Sequence, residues 1–208
     1  MFFFDFHHHH RQNTFGIYNL NPKETPTENS FSVGIHPKNI GNNWLDNFQE
    51  IKTLAQNKHC VAIGECGLDK LVDVDFSLQK KVFLEHIQLA NQIGKPLVIH
   101  CVRAYSEVVA LCKKSTSAVV IHGFNKNKNV AQELLRHGFY LSFGKALLHN
   151  VSLHHVVKET PLDKMVLETD AATIDLQMIY EKVADLKSIS LGELQRQINK
   201  NIETILNK

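Results

Sequence analysis

The sequence has 208 residues, of which 43% are hydrophobic, and its formal net charge at pH 7 is +2. This length and apolar content predict a single domain, covering residues 1–208, with a sizeable core. The charge is close to neutral and the lysines are scattered, which argues against a strongly basic duplex-binding module. No apolar run is long enough to span a membrane, and the N-terminus lacks the basic start of an export signal. We therefore expect a cytoplasmic protein without a membrane partner.

The composition is unusual in its histidine content, since the chain contains 13 histidines. Histidine is the commonest metal ligand in proteins, so the spacing of these residues is informative. The cysteines form no C-x-x-C pair, which argues against a zinc ribbon or a dithiol redox motif. We expect the cysteines to be small buried hydrophobic residues.

Short β-branched or aromatic runs recur along the chain and predict strands. In chain order they cover residues 2–6, 15–20, 31–35, 60–64, 96–100, 118–122, 139–143 and 164–168. Amphipathic patterns predict helices at about 44–57, 76–93, 104–114, 128–136, 147–158, 176–186 and 190–206. Strands that alternate with helices indicate a parallel sheet. Eight strands of this kind predict an α/β protein with a closed (β/α)8 TIM barrel.

The first quarter of the chain departs from this pattern. Residues 7–14 and 21–30 are too short for ordinary crossover helices, and the second segment contains Pro22 and Pro26. Parallel neighbours normally need a dozen or more connecting residues. We therefore expect a compact barrel with reduced or missing helices after strands 1 and 2. The flank left uncovered would be apolar, and such a flank would allow the chain to form a homodimer.

Acids and histidines fall at the carboxyl ends of the predicted strands. The six residues are His7, His9, Glu65, His100, His122 and Asp170. All carboxyl ends meet at one mouth of a barrel, so these side chains should share a pocket. Any one of them alone would more often be an ordinary polar residue at a strand end. Together they favour a metal site.

The run of histidines at residues 7–10 is interpreted as part of this site and not as a purification tag. His7 and His9 are two residues apart in an extended segment, so their side chains point to the same side. His8 points away from them. The useful feature of the run is therefore an H-x-H pair.

The segments DFHHHH, VGIHP, AIGECGLD, LVIHC, VIHGF and LETD occur in this order. The series resembles the motifs of the TatD family of metal-dependent hydrolases, within the amidohydrolase-like barrels, over nearly the whole chain. The resemblance implies that the same six residues are metal ligands. In that arrangement His7, His9 and Asp170 hold one ion, His100 and His122 hold a second, and Glu65 and a water lie between them. A version with a single ion stays open.

The implied chemistry is hydrolysis of a phosphoester by a deoxyribonuclease-type reaction. Two ions held roughly 3.5–4 Å apart lower the pKa of a water, and the resulting metal-bound hydroxide attacks phosphorus. Glu65 would bridge the ions and Asp170 would act as general base. A nitrogen and oxygen shell without thiolate suits zinc, manganese, iron or nickel, and magnesium suits it if phosphate oxygens complete the shell. The expected substrates are DNA ends or small nucleotides.

Further polar residues near the predicted mouth are candidates for supporting roles. Arg103, three residues after His100, could bind a phosphate through both guanidinium nitrogens, although an ordinary surface role fits it equally well. His36 follows strand 3 and could donate a hydrogen bond to substrate or cap the strand. Glu168 and Asp69 could orient a ligand histidine. Three lysines after strands 6 and 7 are interpreted as solvated charges: Lys126, Lys128 and Lys145.

The resemblance is incomplete at the rim of the pocket. Lys70 and Lys38 stand where the family has a tyrosine and a histidine, and Asp170 is followed by AATIDLQMIY instead of a proline, an aromatic residue and a long loop. These departures leave the ligand set intact. Two alternatives remain open: a metal-dependent hydrolase of an amide or ester bond, and a non-catalytic protein that retains the barrel scaffold.

Overall fold

The computed structural model describes residues 3–206 and contains one sheet of eight parallel strands, paired in chain order from β1 to β8. The strands are β1 (Asp5–His8), β2 (Gly16–Leu20), β3 (Phe31–Val33), β4 (Cys60–Asp69), β5 (Leu97–Val102), β6 (Val119–Ile121), β7 (Tyr140–Phe143) and β8 (Met165–Leu167). Most of their residues are buried, as expected for a parallel sheet that is covered on both faces.

Backbone contacts between the first and last strands close the sheet into a barrel. His8 and Asp170 form a parallel bridge. The amide nitrogen of His9 donates to the carbonyl oxygen of Asp170 at 3.1 Å, and that of Asp170 donates to the carbonyl oxygen of His7 at 3.0 Å. The predicted (β/α)8 barrel is confirmed, and the carboxyl ends of its strands surround one mouth.

Helices follow the later strands and pack against the outside of the barrel. They are α1 (Trp44–Leu54), α2 (Phe76–Ile93), α3 (Tyr105–Cys112), α4 (Lys128–Arg136), α5 (Ala146–His149), α6 (Val151–Glu159), α7 (Leu176–Lys187) and α8 (Leu191–Leu206). The longest, α2, begins where the Asp75 side chain accepts a hydrogen bond from Leu78 N at 2.7 Å and ends at Gly94 with φ 67°. Over residues 3–206, none of the helices has the length and apolar content needed to cross a bilayer.

The helix predicted over 147–158 is in fact two helices. Asn150 separates α5 from α6, and its side chain accepts a hydrogen bond from Ser152 N at 3.1 Å. The prediction missed this break because an asparagine within an apolar repeat can either continue a helix or cap a new one.

The first strand is also shifted relative to the predicted range 2–6. It starts at Asp5, whose amide donates to Phe15 O at 3.1 Å, and it includes His7 and His8. The expectation that His7 follows the strand is therefore wrong. Pairing with β2 decides where the strand begins, and the apolar run alone does not show this. Phe2 lies outside the described residues.

Strand β4 continues five residues beyond its predicted end and reaches Asp69. Gly64 and Gly67 have φ angles of 148° and 140°, and a Cβ on either would collide with the backbone of β5. The pairing register shifts between Ile63 and Cys66, as at a β-bulge. Bulges re-aim side chains, and Glu65 lies within this one.

The structure confirms that helices are missing after the first two strands. Neither residues 9–15 nor residues 21–30 contain a helix. Aromatic contacts cover part of this flank: the rings of Phe4 and Phe15 are 5.6 Å apart, and those of Phe3 and Tyr180 are 4.6 Å apart. Phe15 remains 43% exposed.

Candidate metal centre

The six residues selected at the strand ends lie together at the mouth of the barrel. Three groups of donor atoms are each compact enough to hold a metal ion, since the atoms within each group lie within 4.8 Å of one another. The groups are His7, Glu65 and His122; His7, His9 and Asp170; and His36, Glu65 and His100. The structure thus brings all six together and adds His36.

The carboxylate of Glu65 lies between two sets of imidazoles. Its Oε1 atom is 2.8 Å from His122 Nε2 and 2.9 Å from His100 Nδ1. Its Oε2 atom is 3.7 Å from His7 Nε2 and 3.8 Å from His9 Nε2. Each oxygen therefore faces its own set of imidazole nitrogens, which is the arrangement of a carboxylate that bridges two ions.

Asp170 completes the set of donors around the H-x-H pair. Its Oδ1 atom lies 3.2 Å from His9 Nε2 and 3.8 Å from His7 Nε2. The backbone of Asp170 has φ 54°, which is uncommon for a residue other than glycine. The bridge to β1 fixes this conformation and turns the carboxylate toward the two histidines.

In the described part of the chain, the burial and the lack of hydrogen-bond partners of the His7 side chain suit a metal ligand. Its side chain is fully buried, and within residues 3–206 neither ring nitrogen has a hydrogen-bond partner. Burial, together with the nearby His122, lowers the pKa of His7 to about 3, so the imidazole is neutral at physiological pH. A buried polar atom without a partner is costly, and coordination of a cation would satisfy it.

The charges of the neighbouring groups also suit a cation. Burial opposes ionisation of Glu65, but His122 and His100 outweigh it and hold the pKa of Glu65 well below its usual range. Burial would lower the pKa of His122, but Glu65 and Glu168 raise it well above its usual value. An imidazole must lose its proton to coordinate, so loading a cation here would release the His122 proton.

Glu168 supports His122 from behind. It is fully buried, accepts hydrogen bonds from Gly123 N at 2.6 Å and from the Ser142 hydroxyl, and lies 3.5 Å from His122 Nδ1. A carboxylate behind a ligand imidazole fixes the orientation of the ring. Glu168 therefore lies beside His122, and its role in orienting a metal ligand stays a prediction.

Asp69 has the same relationship to His100. Its Oδ2 atom lies 3.1 Å from His100 Nε2. The backbone of Asp69 is held in turn by the buried side chain of Gln79, which accepts from Asp69 N at 2.9 Å and donates to Asp69 O at 3.0 Å. The expected contact between Asp69 and a ligand histidine is present.

His36 caps the turn after β3 and also faces the centre, while a hydrogen bond from it to substrate stays a prediction. Its Nδ1 atom accepts a hydrogen bond from Lys38 N at 3.1 Å and caps the short 3-10 turn that follows β3. Its Nε2 atom faces the centre, 3.4 Å from Glu65 Oε1. Arg103 is exposed at the end of β5 and has φ 54°, so its backbone turns away from the strand directly beside the mouth.

The sequence reasoning missed Asn19, the polar residue near the end of β2. Asn19 Oδ1 accepts a hydrogen bond from Glu65 N at 3.1 Å, and Asn19 Nδ2 donates to Glu65 Oε2 at 3.3 Å. The rule that located the other polar residues at strand ends would have located this one too. It was overlooked because an amide is a weak metal ligand.

The barrel and the donor cluster at its mouth define the class of the protein, a metal-dependent hydrolase built on a (β/α)8 scaffold. The family model described as TatD related DNase matches residues 17–207. The chain belongs to the TatD family, as its motifs predicted.

Relatives of the chain agree with this class. The metal-dependent hydrolase YabD of Bacillus subtilis is 29% identical over 193 residues, which cover 84% of this chain and 76% of that protein. The 3'-5' ssDNA/RNA exonuclease TatD of Enterobacter lignolyticus is 31% identical over 149 residues, which cover 67% of this chain and 56% of that protein. The crystal structure of YJJV, a TatD homolog from Escherichia coli, has the same fold, with a TM-score of 0.83. The match has 19% sequence identity and covers 99% of this chain and 98% of that chain. The chain is thus a metal-dependent hydrolase acting on ester bonds.

Proposed function

We propose that this protein is a metal-dependent phosphodiesterase of the deoxyribonuclease type. The observation that carries the proposal is the position of Glu65, whose two carboxylate oxygens face separate sets of imidazoles. That geometry suits two divalent ions close together, the arrangement used to cleave phosphodiesters.

The ligands divide between two positions. His7, His9 and Asp170 would hold one ion, His100 and His122 the other, and Glu65 both. The ions would lower the pKa of a water and neutralise charge that develops on the phosphate. The nitrogen and oxygen donors suit zinc, manganese, iron, nickel or magnesium, and we propose one or two ions of this set as the cofactor.

Asp170 is proposed as the general base. Its side chain is 45% exposed, so a water at the mouth can reach it. Burial opposes its ionisation, but the hydrogen bond from His9 and the nearby His122 lower the pKa of Asp170, so it is ionised at neutral pH. It can therefore accept a proton from the water whose oxygen bonds to phosphorus. One ester P–O bond then breaks, and the departing oxygen takes a proton.

Two side chains are proposed to bind the substrate phosphate. His36 Nε2 faces the centre from the turn after β3, and Arg103 is exposed directly after β5, the strand that carries His100. A guanidinium can contact two phosphate oxygens at once. His36 is largely held by its own cap, so it is already oriented before substrate arrives.

In the test, purified protein is loaded in turn with manganese, zinc and magnesium. Each loaded form is then given a chromogenic phosphodiester, single-stranded DNA and simple esters. We expect hydrolysis of the phosphodiesters, abolished by a chelator and by Asp170→Asn. Asp163→Asn, an isosteric change of an exposed acid at the opposite end of the barrel, should leave the rate unchanged. Hydrolysis of simple esters alone would favour the alternative bond class. A protein that binds none of these ions would contradict the proposed metal mechanism.

We also propose, from the uncovered flank, that the chain forms a homodimer. The flank beside β1 and β2 leaves Phe15 43% exposed. Light scattering would show the mass of a dimer, and Phe15→Ser should reduce it to that of a monomer. A cytoplasmic location remains a prediction.

A further inference from the structure

The longest helix, α2, carries two polar side chains on the face that it buries against the barrel. Gln79 and His86 are both buried, and the other buried residues of this helix are apolar. The two residues are seven positions apart, so they lie on the same side of the helix, about 10 Å from each other along its axis. Burying a polar side chain costs free energy unless it is hydrogen-bonded, so the partners of these two residues are informative.

The side-chain amide of Gln79 fixes the backbone at the end of β4. It accepts a hydrogen bond from Asp69 N at 2.9 Å and donates one to Asp69 O at 3.0 Å. The same Nε2 atom also donates to Val74 O at 3.0 Å. Gln79 therefore closes the loop between β4 and α2 and holds Asp69 in place.

Asp69 in turn orients the ring of His100. Its Oδ1 atom accepts from Leu71 N at 2.7 Å, and its Oδ2 atom lies 3.1 Å from His100 Nε2. An imidazole that binds a cation through Nδ1 carries its remaining proton on Nε2. Asp69 Oδ2 is placed to accept that proton in a hydrogen bond, so it keeps the His100 ring turned with Nδ1 toward Glu65 Oε1, 2.9 Å away.

His86 holds a second backbone segment beside the centre. Its Nδ1 atom lies 2.8 Å from Val82 O, one turn earlier in α2, so Nδ1 carries the proton and Nε2 is an acceptor. Nε2 accepts a hydrogen bond from Ile35 N at 3.0 Å. Ile35 directly precedes His36, whose Nε2 atom lies 3.4 Å from Glu65 Oε1. His86 therefore fixes the chain at the point where His36 turns toward the centre.

The residues that α2 holds belong to one donor group. His36, Glu65 and His100 form one of the three compact groups, and the rings of the two histidines are 4.3 Å apart. His36 follows β3, Glu65 lies on β4 and His100 lies on β5, which are three neighbouring strands. A single helix thus reaches the segments on both sides of the strand that carries Glu65.

We infer that Gln79 and His86 are positioning residues through which α2 aligns the group formed by His36, Glu65 and His100. Gln79 acts on a metal ligand, because it holds the carboxylate that orients His100. His86 acts on substrate binding, because it holds the backbone that carries His36. This second role rests on the proposed function, in which His36 binds the substrate phosphate. The two residues should therefore affect different measured quantities.

The first experiment tests Gln79. Gln79→Met keeps the length of the side chain but removes its three hydrogen bonds. We expect zinc affinity, measured by calorimetric titration, to fall about 10–100-fold, as for other groups that orient a ligand. In the zinc-loaded protein, the Nε2 proton of His100 should be visible by NMR in the wild type and exchange with water at least about tenfold faster in the variant.

A control separates this role from a general loss of stability. Leu89→Ala opens a cavity among the buried residues of α2 and should change neither quantity. If either quantity in Gln79→Met matched that of the wild type or of Leu89→Ala, the role of Gln79 would be overturned. Gln79→Glu, which keeps the acceptor and loses both donors, replaces Gln79→Met if the latter does not fold. A wild-type protein that binds no zinc would instead overturn the proposed metal mechanism.

The second experiment tests His86. His86→Phe keeps a ring beside Phe48, whose centroid lies 5.0 Å from that of His86, but removes the acceptor for Ile35 N. We expect KM for a chromogenic phosphodiester to rise roughly three- to tenfold, the value of about one hydrogen bond, with little change in kcat or zinc affinity. His86→Gln offers Ile35 N an oxygen in place of Nε2 and should restore KM.

The outcomes again separate the inference from the proposed function. A KM that is unchanged in His86→Phe, or raised equally in His86→Phe and His86→Gln, would overturn the role of His86. His86→Leu, a smaller apolar change, serves if His86→Phe does not fold. A zinc-binding wild type that hydrolyses no phosphodiester would overturn the proposed function and leave the role of Gln79 standing.

Discussion

Asn19 and Glu65 contact each other at two points, and each residue serves as both donor and acceptor. Glu65 N donates to Asn19 Oδ1 at 3.1 Å, and Asn19 Nδ2 donates to Glu65 Oε2 at 3.3 Å. The amide therefore fixes the backbone and the carboxylate of the same residue. Asn19 is a positioning residue for the proposed bridging ligand.

Replacing Asn19 should weaken metal binding and leave the fold intact. Loss of a group that orients a ligand typically costs about 10–100-fold in affinity, and we expect Asn19→Ala to fall in that range for manganese. Calorimetric titration of the purified protein measures this directly. Asn199→Ala, on α8, should bind manganese as the wild type does. Equal affinity in the two variants would mean that Glu65 needs no such support.

The histidine run offers a matched pair of variants. His9 Nε2 lies 3.2 Å from Asp170 Oδ1, whereas the Nε2 atom of the adjacent His10 lies 3.0 Å from the carbonyl oxygen of Ala172. We expect His9→Ala to lose about one equivalent of bound metal, because a site with one donor fewer holds its ion weakly. His10→Ala should retain it. Elemental analysis after dialysis gives the result, and equal metal content in both variants would contradict the H-x-H interpretation.

Glu168 should act through His122. Glu168→Gln keeps the size of the side chain but removes the charge that lies 3.5 Å from His122 Nδ1. We expect metal affinity and kcat to fall about 10–100-fold, with KM nearly constant, because the variant acts through His122 and keeps the shape of the Glu168 side chain. Steady-state kinetics and calorimetry together test this. Glu159→Gln, a change of an exposed acid on α6, is the control; similar effects from the two changes would rule out a specific role for Glu168.

His86 should make the free energy of unfolding depend on pH. It lies outside the centre, fully buried, where its Nε2 atom accepts from Ile35 N at 3.0 Å and its Nδ1 atom contacts Val82 O at 2.8 Å. Burial lowers its pKa from 6.5 to about 4. Between these values the unfolded chain binds a proton that the folded protein does not, so stability is complete above pH 6.5 and falls as the pH drops toward 4.

His86 should lower the free energy of unfolding by on the order of 2 kcal/mol at pH 5 relative to pH 8. Urea denaturation at both pH values, with chelator present, should show that His86→Gln loses correspondingly less stability than the wild type. If that variant does not fold, the ring resonances of His86 in the wild type should not titrate down to pH 5. Titration near pH 6.5 would contradict the buried, neutral assignment.

The donor residues of the candidate centre could be read from the sequence because each lies at the end of an apolar run or just after it. His100 and His122 close apolar runs, and a parallel barrel brings such ends together whatever the details of packing. Strand β4 was harder to place. Its length depends on how closely Gly64 and Gly67 approach β5, and a local pattern does not contain that contact.

The supporting contacts could not be predicted in the same way, because their partners are far apart in the chain. Asn19 and Glu65 are 46 residues apart, and Asp5 receives a hydrogen bond from Thr169 N across 164 residues. The resemblance indicated which residues would bind the metal. Which side chain orients each of these residues depends on contacts that exist only in the folded barrel. His36 shows the same limit, since its cap and its contact with Glu65 use different ring nitrogens.

The closure of β1 against β8 has a consequence for how the protein matures. Residues 7 and 170 supply atoms to the same donor group, so a nascent polypeptide has no complete centre until synthesis has passed residue 170. Once a cation binds, it links the first strand to the last and favours the closed ring over the open one. The group formed by His7, His9 and Asp170 can therefore be loaded only late in synthesis, and a polypeptide cut before β8 should acquire no ion at that group.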